Sequence, residues 1–480
     1  MSSSDAEVLQ PAGQAEVVRP ATLAQCHEVI DAMAARLLQL EHKLAELQER
    51  LKLNSRNSSK PPSSDGPGGA GPSGGNRAQR RASERKRGAQ VGHKGSCRAL
   101  LDEAQVDQIV NCQPAPVCEC GAAVQTLDDD PIRHQVFDTP PVAAVVNEYR
   151  RYVGRCTGCG KAHRGALPAG VPNGQIGPRA LALVGTLGTH YHLTQHKIRD
   201  LLARLMGVDF SVGAISQAHG KVAQALHAPV AQIMKHVQQA RVKQMDETRY
   251  PREGAGNWVW TVVTPKAVWY SVLPSRARYV ATSLVGEKFK GILVSDRYAV
   301  YDYVDAKQRQ LCWAHLIRDF TRISQRAGRA GRVGRGLLAI GYLLFRLRKD
   351  NKRADQFEPM RKRAKRLLEQ GAQGVCARTA KTCANLLKLW PAMWTFLNDA
   401  TVPPTNNGAE QALRTVVLKR KISGPTRSTR GDQFIGQAFS VYETCRRQGR
   451  DLWGYMHEAV VAWIDGTAAP SLMPKPVPTG

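Results

Sequence analysis

Three carboxylates stand in contexts suited to holding a divalent cation: Asp246 in Met-Asp-Glu-Thr, Asp296 in Val-Ser-Asp-Arg-Tyr and Glu410 in Asn-Asn-Gly-Ala-Glu-Gln-Ala-Leu-Arg. Asp246 closes the strand-like run 242–245, and Asp296 follows the apolar run 292–294, so each aspartate ends a strand. If those strands are parallel neighbours, the carboxylates converge at one sheet edge, where mutual repulsion raises a pKa unless a cation sits between them. Magnesium, or manganese in its place, is the ion such a site asks for. Glu410 has a competing reading, because Asn407 and Glu410 have the spacing of an N-cap and its N3 partner in a capping box. Both roles hold together if that helix start lies beside the sheet edge. His315 and Arg318 stand at helical spacing just past a strand expected to end at Trp313, in reach of a phosphate or a leaving oxygen; a structural histidine is the alternative. Arg414, one helical turn beyond Glu410, is a further auxiliary candidate.

The elements that must position these acids follow from periodicity. Strands are expected at 242–245, 258–264 and 268–273, then a short helical stretch, then the buried strand 292–294. Three antiparallel strands, a crossover and a buried strand describe the first part of an RNase H-like sheet. The catalytic core is assigned to 239–322 and 402–465, interrupted by a helical insertion, 323–401, rich in Arg and Lys, whose alternative is a solvated helical face. Trp258, Trp260, Trp269 and Trp313 are expected in the core rather than on a base-stacking surface.

Several segments precede that core. After a disordered start (1–22), residues 23–53 place Leu23, Cys26, Ile30, Met33, Leu37, Leu40, Leu44, Leu47 and Leu51 alternately three and four apart, the seam of a coiled coil. In a parallel pair Arg36 would face Glu41 of the other helix, so a homodimer or higher oligomer is expected; a lone amphipathic helix packed on its own protein is the alternative. Residues 54–98 are rich in Ser, Pro and Gly and then basic, with Arg77, Arg80, Arg81, Arg85, Lys86 and Arg87. This segment is expected to be disordered when free, either as a solvated linker or as an arm that tracks phosphates without reading bases. Within 99–175, Cys118 and Cys120 with Cys156 and Cys159 are the components of a tetrahedral zinc site. The first pair has one intervening residue, tighter than usual, so Cys112, His134 or His163 would substitute for a ligand, and reduced metal-free thiols remain the alternative. Strand-like stretches such as 143–152 lie between the pairs. The remaining cysteines are expected to be buried small hydrophobes. Residues 176–238 read as helix, a break at Gly207, and a second helix capped by Ser211, the layout of a helix-turn-helix or of a small helical bundle. A tail, 466–480, ends the chain.

The formal charge of +28 and pI near 10.0 over 480 residues draw polyanions, nucleic acid before anionic membrane. No run approaches the ~20 apolar residues of a membrane span, and residues 1–8 lack a signal-peptide pattern. A cytoplasmic protein with no membrane association is expected. The 11 cysteines, an odd number, fit a reducing compartment with metal ligation better than a disulfide framework.

At this point the chain resembles the insertion sequence 66 family of bacterial transposases, of the DDE type. The resemblance rests on Lys52-Leu-Asn-Ser-Arg-Asn-Ser-Ser-Lys-Pro-Pro-Ser, Gly92-His-Lys-Gly and the paired cysteines. More specific are Met245-Asp-Glu-Thr, Ser295-Asp-Arg-Tyr-Ala-Val-Tyr, Cys312-Trp-Ala-His-Leu-Ile-Arg-Asp-Phe and Asn406-Asn-Gly-Ala-Glu-Gln-Ala-Leu-Arg. The run Gly88-Ala-Gln-Val departs from the family's Gly-Gly-Gln-Pro. The resemblance implies a multidomain α/β protein whose metal-binding acids are Asp246, Asp296 and Glu410. It implies cleavage at the terminal repeats of an insertion element, transfer to target DNA, nucleoid association, and accessory proteins of the element. Two other classes fit the same residues: a DNA-binding protein that keeps the fold without catalysis, and another RNase H-like nuclease such as a junction resolvase.

Overall fold

The structure is a computed structural model and describes residues 22–54, 57–58, 98–125, 132–254, 256–286 and 289–473. The described chain runs from α1 (Leu23–Leu51) to α14 (Leu452–Asp465) and divides into two compact units, residues 72–313 with 389–480, and residues 1–71 with 314–388.

The larger unit is a mixed α/β structure built on a five-stranded sheet. Apolar and β-branched residues dominate β4 (Trp258–Val263) and β5 (Val268–Leu273), while β3 (Val242–Arg249) alternates buried and half-buried positions. The helix α6 (Arg278–Val285) leads to β6 (Ile292–Ser295), and β7 (Arg309–Leu311) completes the order β5-β4-β3-β6-β7. The first three strands are antiparallel neighbours; β6 pairs parallel with β3, and β7 parallel with β6. The short α11 (Thr395–Asn398) is tied to β7 by Thr395 Oγ1 donating to the Arg309 carbonyl (2.6 Å) and by the Phe396 N–H donating to Gln310 Oε1 (2.9 Å).

Two later helices cover the sheet. From α12 (Asn407–Ser423), the Ala412 carbonyl accepts the buried Tyr270 hydroxyl at 2.7 Å. On α13 (Thr429–Gln448), Ser440 Oγ and Thr444 Oγ1 accept the backbone N–H groups of Tyr270 (2.9 Å) and Val268 (3.1 Å). Helix side chains therefore occupy donors on β5, the outer strand, that would otherwise be open to another strand.

The helical segment before the sheet comprises α2 (Pro178–Thr189), α3 (Gln195–Met206), α4 (Val212–Ala225) and α5 (His227–Gln239). Thr194 caps α3 by accepting the Lys197 N–H, and Ser211 caps α4 by accepting the Ala214 N–H. Between them Gly207 adopts φ +67°, the left-handed conformation that ends a helix at little cost for glycine. Upstream, β1 (Val153–Arg155) and β2 (Ala162–Arg164) form a short antiparallel hairpin. Residues 143–152, expected to be strand-like, form no ladder: Val145 and Val146 are 88% and 87% exposed, with no neighbouring strand to satisfy their backbone.

In the second unit, α1 is joined by α7 (Trp313–Ser324), α8 (Gly328–Lys349), α9 (Glu358–Ala372) and α10 (Ala377–Lys388). Glycines on α8 allow close packing: a Cβ on Gly341 would lie 2.8 Å from Ile317 on α7, and one on Gly336 2.8 Å from Leu367 on α9. Glu49 near the end of α1 pairs with Arg326 (2.6 Å) and Arg378, and the buried Asn57 donates to Gln325 Oε1 at 2.8 Å. The apolar series of α1, including Ile30, Met33, Leu37, Leu40, Leu44 and Leu47, is exposed in the single chain. The strand expected to reach Trp313 stops at Leu311. Trp313 instead starts α7, and its indole N–H donates to the Met393 carbonyl at 2.7 Å. Among the described residues, no helix is long and apolar enough to cross a membrane.

Candidate active site

The parallel register of β3 and β6 aligns the two aspartates. Val242 pairs with Ile292 and Gln244 with Val294; two residues further along the chain stand Asp246 and Asp296, the latter just past the end of β6, while Asp246 lies within β3 rather than ending it, because pairing with β4 carries the strand on to Arg249. Glu410 comes from α12, whose N-terminus is fastened to β3. The Asn406 side-chain amide donates to the Met245 carbonyl at 2.8 Å, and the Ala409 N–H donates to Gln244 Oε1 at 3.3 Å. Gly408 permits this approach, since a Cβ there would lie 2.6 Å from Gln244 Oε1. The helix is capped at Asn406, with Ala409 at the third helical position, so Glu410 does not occupy the reaching-back position of a capping box.

Electrostatics links the three acids. Burial pushes the Asp246 carboxyl well above the usual carboxylate range, and the negative charges of Glu247, Asp296 and Glu410 add to it; the Glu247 N–H, donated to Asp246 Oδ1 at 2.9 Å, opposes the rise. A cation among these oxygens would relieve the repulsion. Among the described residues the three acids do not all come within 4.8 Å of one another, so a shared ion would draw them closer; nearby on the head of α12, the buried Asn406 Oδ1 has no hydrogen-bond partner.

Around the acids lies a shell that sequence reasoning did not single out. Glu247, on β3, is buried and accepts the Tyr301 hydroxyl and the Arg276 guanidinium (2.6 Å). Burial raises the Glu247 pKa, and the Tyr301 and Arg276 contacts counter it. Arg276 in turn lies over the rings of Tyr298 (3.9 Å) and Trp258 (5.0 Å). Tyr298 and Tyr301 both belong to the turn after Asp296, and the Tyr298 N–H donates to Asp296 Oδ1 at 2.9 Å. Beneath the same turn the fully buried Arg309 donates to the Asp296 carbonyl (3.2 Å) and pairs with Asp302 (2.7 Å). Cys312, expected only as a buried small hydrophobe, accepts the Asn406 N–H at 3.1 Å and lies 3.8 Å from Glu410 Oε1. The one available signal was its place inside the Cys312-Trp-Ala-His motif.

The other candidates lie as follows. Arg414 is exposed on α12. His315 and Arg318 lie on α7 in the second unit, with Arg318 Nη1 3.3 Å from His315 Nε2. Cys118 and Cys120 flank a tight turn closed by the Val117–Ala123 bridge, and Cys156 and Cys159 lie between β1 and β2. Hydrogen bonding within each pair, from Cys120 and from Cys159, holds the Cys118 and Cys156 thiols below their ordinary pKa. All four are exposed, and the pairs do not gather into one four-thiol group among the described residues. Of the remaining cysteines, Cys312, Cys383 and Cys445 are buried, Cys26 and Cys376 are half-buried and Cys112 is exposed, because the extended segment holding Cys112 has no core to enter; Cys97 lies outside the described residues. Arg77, Arg80, Arg81, Arg85, Lys86 and Arg87 lie outside the described residues. In the helix-turn-helix layout, α4 is largely enclosed, burying Ile215, Ala218, His219, Val222 and Ala223. The outward cationic and imidazole groups of the pair are on α3, at His196, Lys197, Arg199 and Arg204, whereas α4 exposes only Gly213, Gln217 and Gln224.

Comparison with known proteins bears on the same span. The sequence profile of the Transposase IS66 family matches residues 173–433, and one described as a family of unknown function (DUF6444) matches residues 13–99. An uncharacterized protein, y4hP, of Sinorhizobium fredii (strain NBRC 101917 / NGR234) is 24% identical over 417 residues, covering 76% of this chain and 73% of its own length. The first match takes in both aspartate-bearing strands and the head of α12 and extends over more than half of the sequence: the chain belongs to the IS66 family of transposases.

Proposed function

We propose that this chain cleaves DNA at the ends of its insertion element and joins the freed ends to target DNA, with Asp246, Asp296 and Glu410 holding magnesium or manganese in an RNase H-like core. One observation carries the reading: two aspartates in step on adjacent parallel strands, with Glu410 among the charges acting on Asp246. A pair of bound divalent ions would supply activation of water or a 3′ hydroxyl and neutralisation of the leaving oxygen during in-line displacement.

The chain's own groups do the positioning. Asn406 and Gln244 hold the head of α12, which sets where Glu410 points. Arg309, and Glu247 through Tyr301, hold the turn that begins at Asp296. No side chain is required to form a covalent bond with DNA. The basic outward face of α3 would meet the element's terminal repeats, and the basic arm at 77–87 would add phosphate contacts that do not depend on sequence. Pairing of two α1 helices through their exposed apolar series would bring two element ends together. Zinc on the Cys118–Cys120 and Cys156–Cys159 pairs would join two turns that lack a core of their own. Accessory proteins of the element and the bacterial nucleoid complete the expected setting.

The test is strand cleavage of a plasmid carrying the element's ends, with purified protein and magnesium, beside the Asp246→Asn variant. Cuts at the ends that vanish in the variant, with DNA binding retained, are expected; a variant that still cuts at the same positions refutes the assignment of Asp246.

A further inference from the structure

The charge of this protein is concentrated in its helical excursion. Residues 314–388 carry 19 Lys and Arg against 5 Asp and Glu, an excess equal to half of the formal charge of the whole chain. Within it, α8 has no acidic residue from Gly328 to Lys349. Its apolar face, with Val333, Leu337, Ile340 and Leu344, is buried in the unit. On the opposite side Arg332, Arg335, Tyr342, Arg346 and Lys349 are all exposed. At 100° per residue these five fall within an arc of about 100°, and at 1.5 Å per residue the stripe is about 25 Å long. None of the four cations has an ion pair or side-chain hydrogen bond among the described residues.

We infer that this outward stripe of α8 is a binding surface for the sugar-phosphate backbone of duplex DNA, engaged without regard to sequence. The inference rests on the DNA-transposase reading and specifies which part of the chain grips the duplex. A stripe of guanidinium and ammonium groups with no carboxylate among them matches a ladder of one phosphate per ~1.7 Å of duplex, and the Tyr342 hydroxyl at its middle adds a phosphate hydrogen-bond donor. A membrane-surface helix would turn its apolar face outward, whereas that of α8 is already covered by protein. The neighbouring helix α9 is also basic, but Glu369 interrupts its outward face and Arg361 is paired with Glu358 (3.0 Å).

The experiment measures binding of the full-length protein to short duplexes of unrelated sequence, by fluorescence anisotropy over a range of salt concentrations. It compares the wild type with a variant carrying Arg332→Gln, Arg335→Gln, Arg346→Gln and Lys349→Gln. Loss of four phosphate contacts should make the slope of log affinity against log salt shallower by about 3.6, equally on every sequence, and the Arg332→Gln, Arg335→Gln pair alone by about 1.8. A matched variant of α9, with Lys362, Arg363, Lys365 and Arg366 changed to Gln, removes the same charge and should keep a slope near that of the wild type. An unchanged slope in the α8 variant, an equal loss in the α9 variant, or a loss confined to an RNA duplex of the same length overturns the inference. Absence of salt-sensitive duplex binding by the wild type itself would instead sink the DNA reading on which it rests.

Discussion

Adding one methyl group at Gly408 should separate the activity of this protein from its stability. A Cβ at this position would lie 2.6 Å from Gln244 Oε1, 3.0 Å from Nε2 and 3.1 Å from Cδ, where ordinary contact begins at 3.4 Å. The shortfall of about 0.8 Å must be met by moving Gln244, α12 or both. Folding should hardly register the change: alanine favours a helix over glycine by up to ~1 kcal/mol. Losing the 3.3 Å hydrogen bond from the Ala409 N–H to Gln244 costs about 1 kcal/mol, so the two nearly cancel. The proposed cleavage has no such compensation, because Gln244 is two residues before Asp246 and Gly408 two before Glu410. If α12 gives way rather than the end of the Gln244 side chain, a displacement approaching 1 Å between the acids lowers rates by about 100-fold, equivalent to ~2.7 kcal/mol in the barrier. The assay is end cleavage in magnesium by Gly408→Ala, with a thermal melt of the same preparation. The Gly408→Ala, Gln244→Ala double variant, which restores the space, should recover part of the lost rate. Wild-type cleavage by Gly408→Ala, or a loss of several kcal/mol in its folding, would refute the argument.

Two further predictions concern charge. Because burial and neighbouring carboxylates raise the Asp246 pKa above its unfolded value near 3.9, the folded state binds more protons between the two values. Metal-free stability should therefore fall as pH rises through that window and stay low above it, whereas Asp246→Asn should flatten the fall and lose most of the magnesium-induced rise in Tm. Parallel Tm–pH profiles for the two proteins in chelator would contradict this. In the other unit, burial alone would raise the Glu49 pKa, but hydrogen bonds and charge from Arg326 and Arg378 outweigh it and hold the value low. The contact is thus present above the ordinary glutamate pKa and lost as pH falls through the lowered folded value. Glu49→Gln should cost about 1–2 kcal/mol near neutral pH by chemical denaturation, less than a fully buried pair because the Arg378 side chain is 37% exposed; no change in the unfolding midpoint would show that the three side chains are not coupled.

What could be read from the residues follows the distance over which each signal acts. An acid beside a strand-like run is a local pattern, so the positions of Asp246 and Asp296 were legible; that β3 runs on through Asp246 to Arg249 was not, because its second half is held by pairing with β4. The alignment of the two acids depends on an offset of 50 residues between β3 and β6, which no local period records. Glu410 was legible as part of a motif and ambiguous as chemistry. The ambiguity turns on Asn406, which caps α12 by backbone while its side chain reaches across 161 residues to Met245. Glu247, Arg276 and Tyr301 were passed over for the same reason, since their contact joins β3 to two separate turns. The helix-turn-helix spacing was legible from Gly207 and Ser211, but the enclosure of α4 was not, because packing from α13 arrives more than 200 residues later in the chain, as where Arg430 reaches Ser216 at 3.2 Å.

The attachment of α12 and α13 to the sheet also sets an order in time. During synthesis both aspartates emerge well before Glu410; at 5–20 residues per second the 164 residues between Asp246 and Glu410 take about 8–33 s. For a similar time, over the 167 residues from the end of β5 to Ser440, β5 exists without Ser440 and Thr444, so the same backbone N–H groups that the finished protein covers are open to another nascent chain on the same message. A ribosome that stops early leaves a sheet with an open edge and two acids of three, a product fit to aggregate and unable to complete the site. The last helices therefore act as a check on completeness: the residues that would arm the site and those that make the sheet safe are delivered within about 35 residues of one another, from 410 to 444.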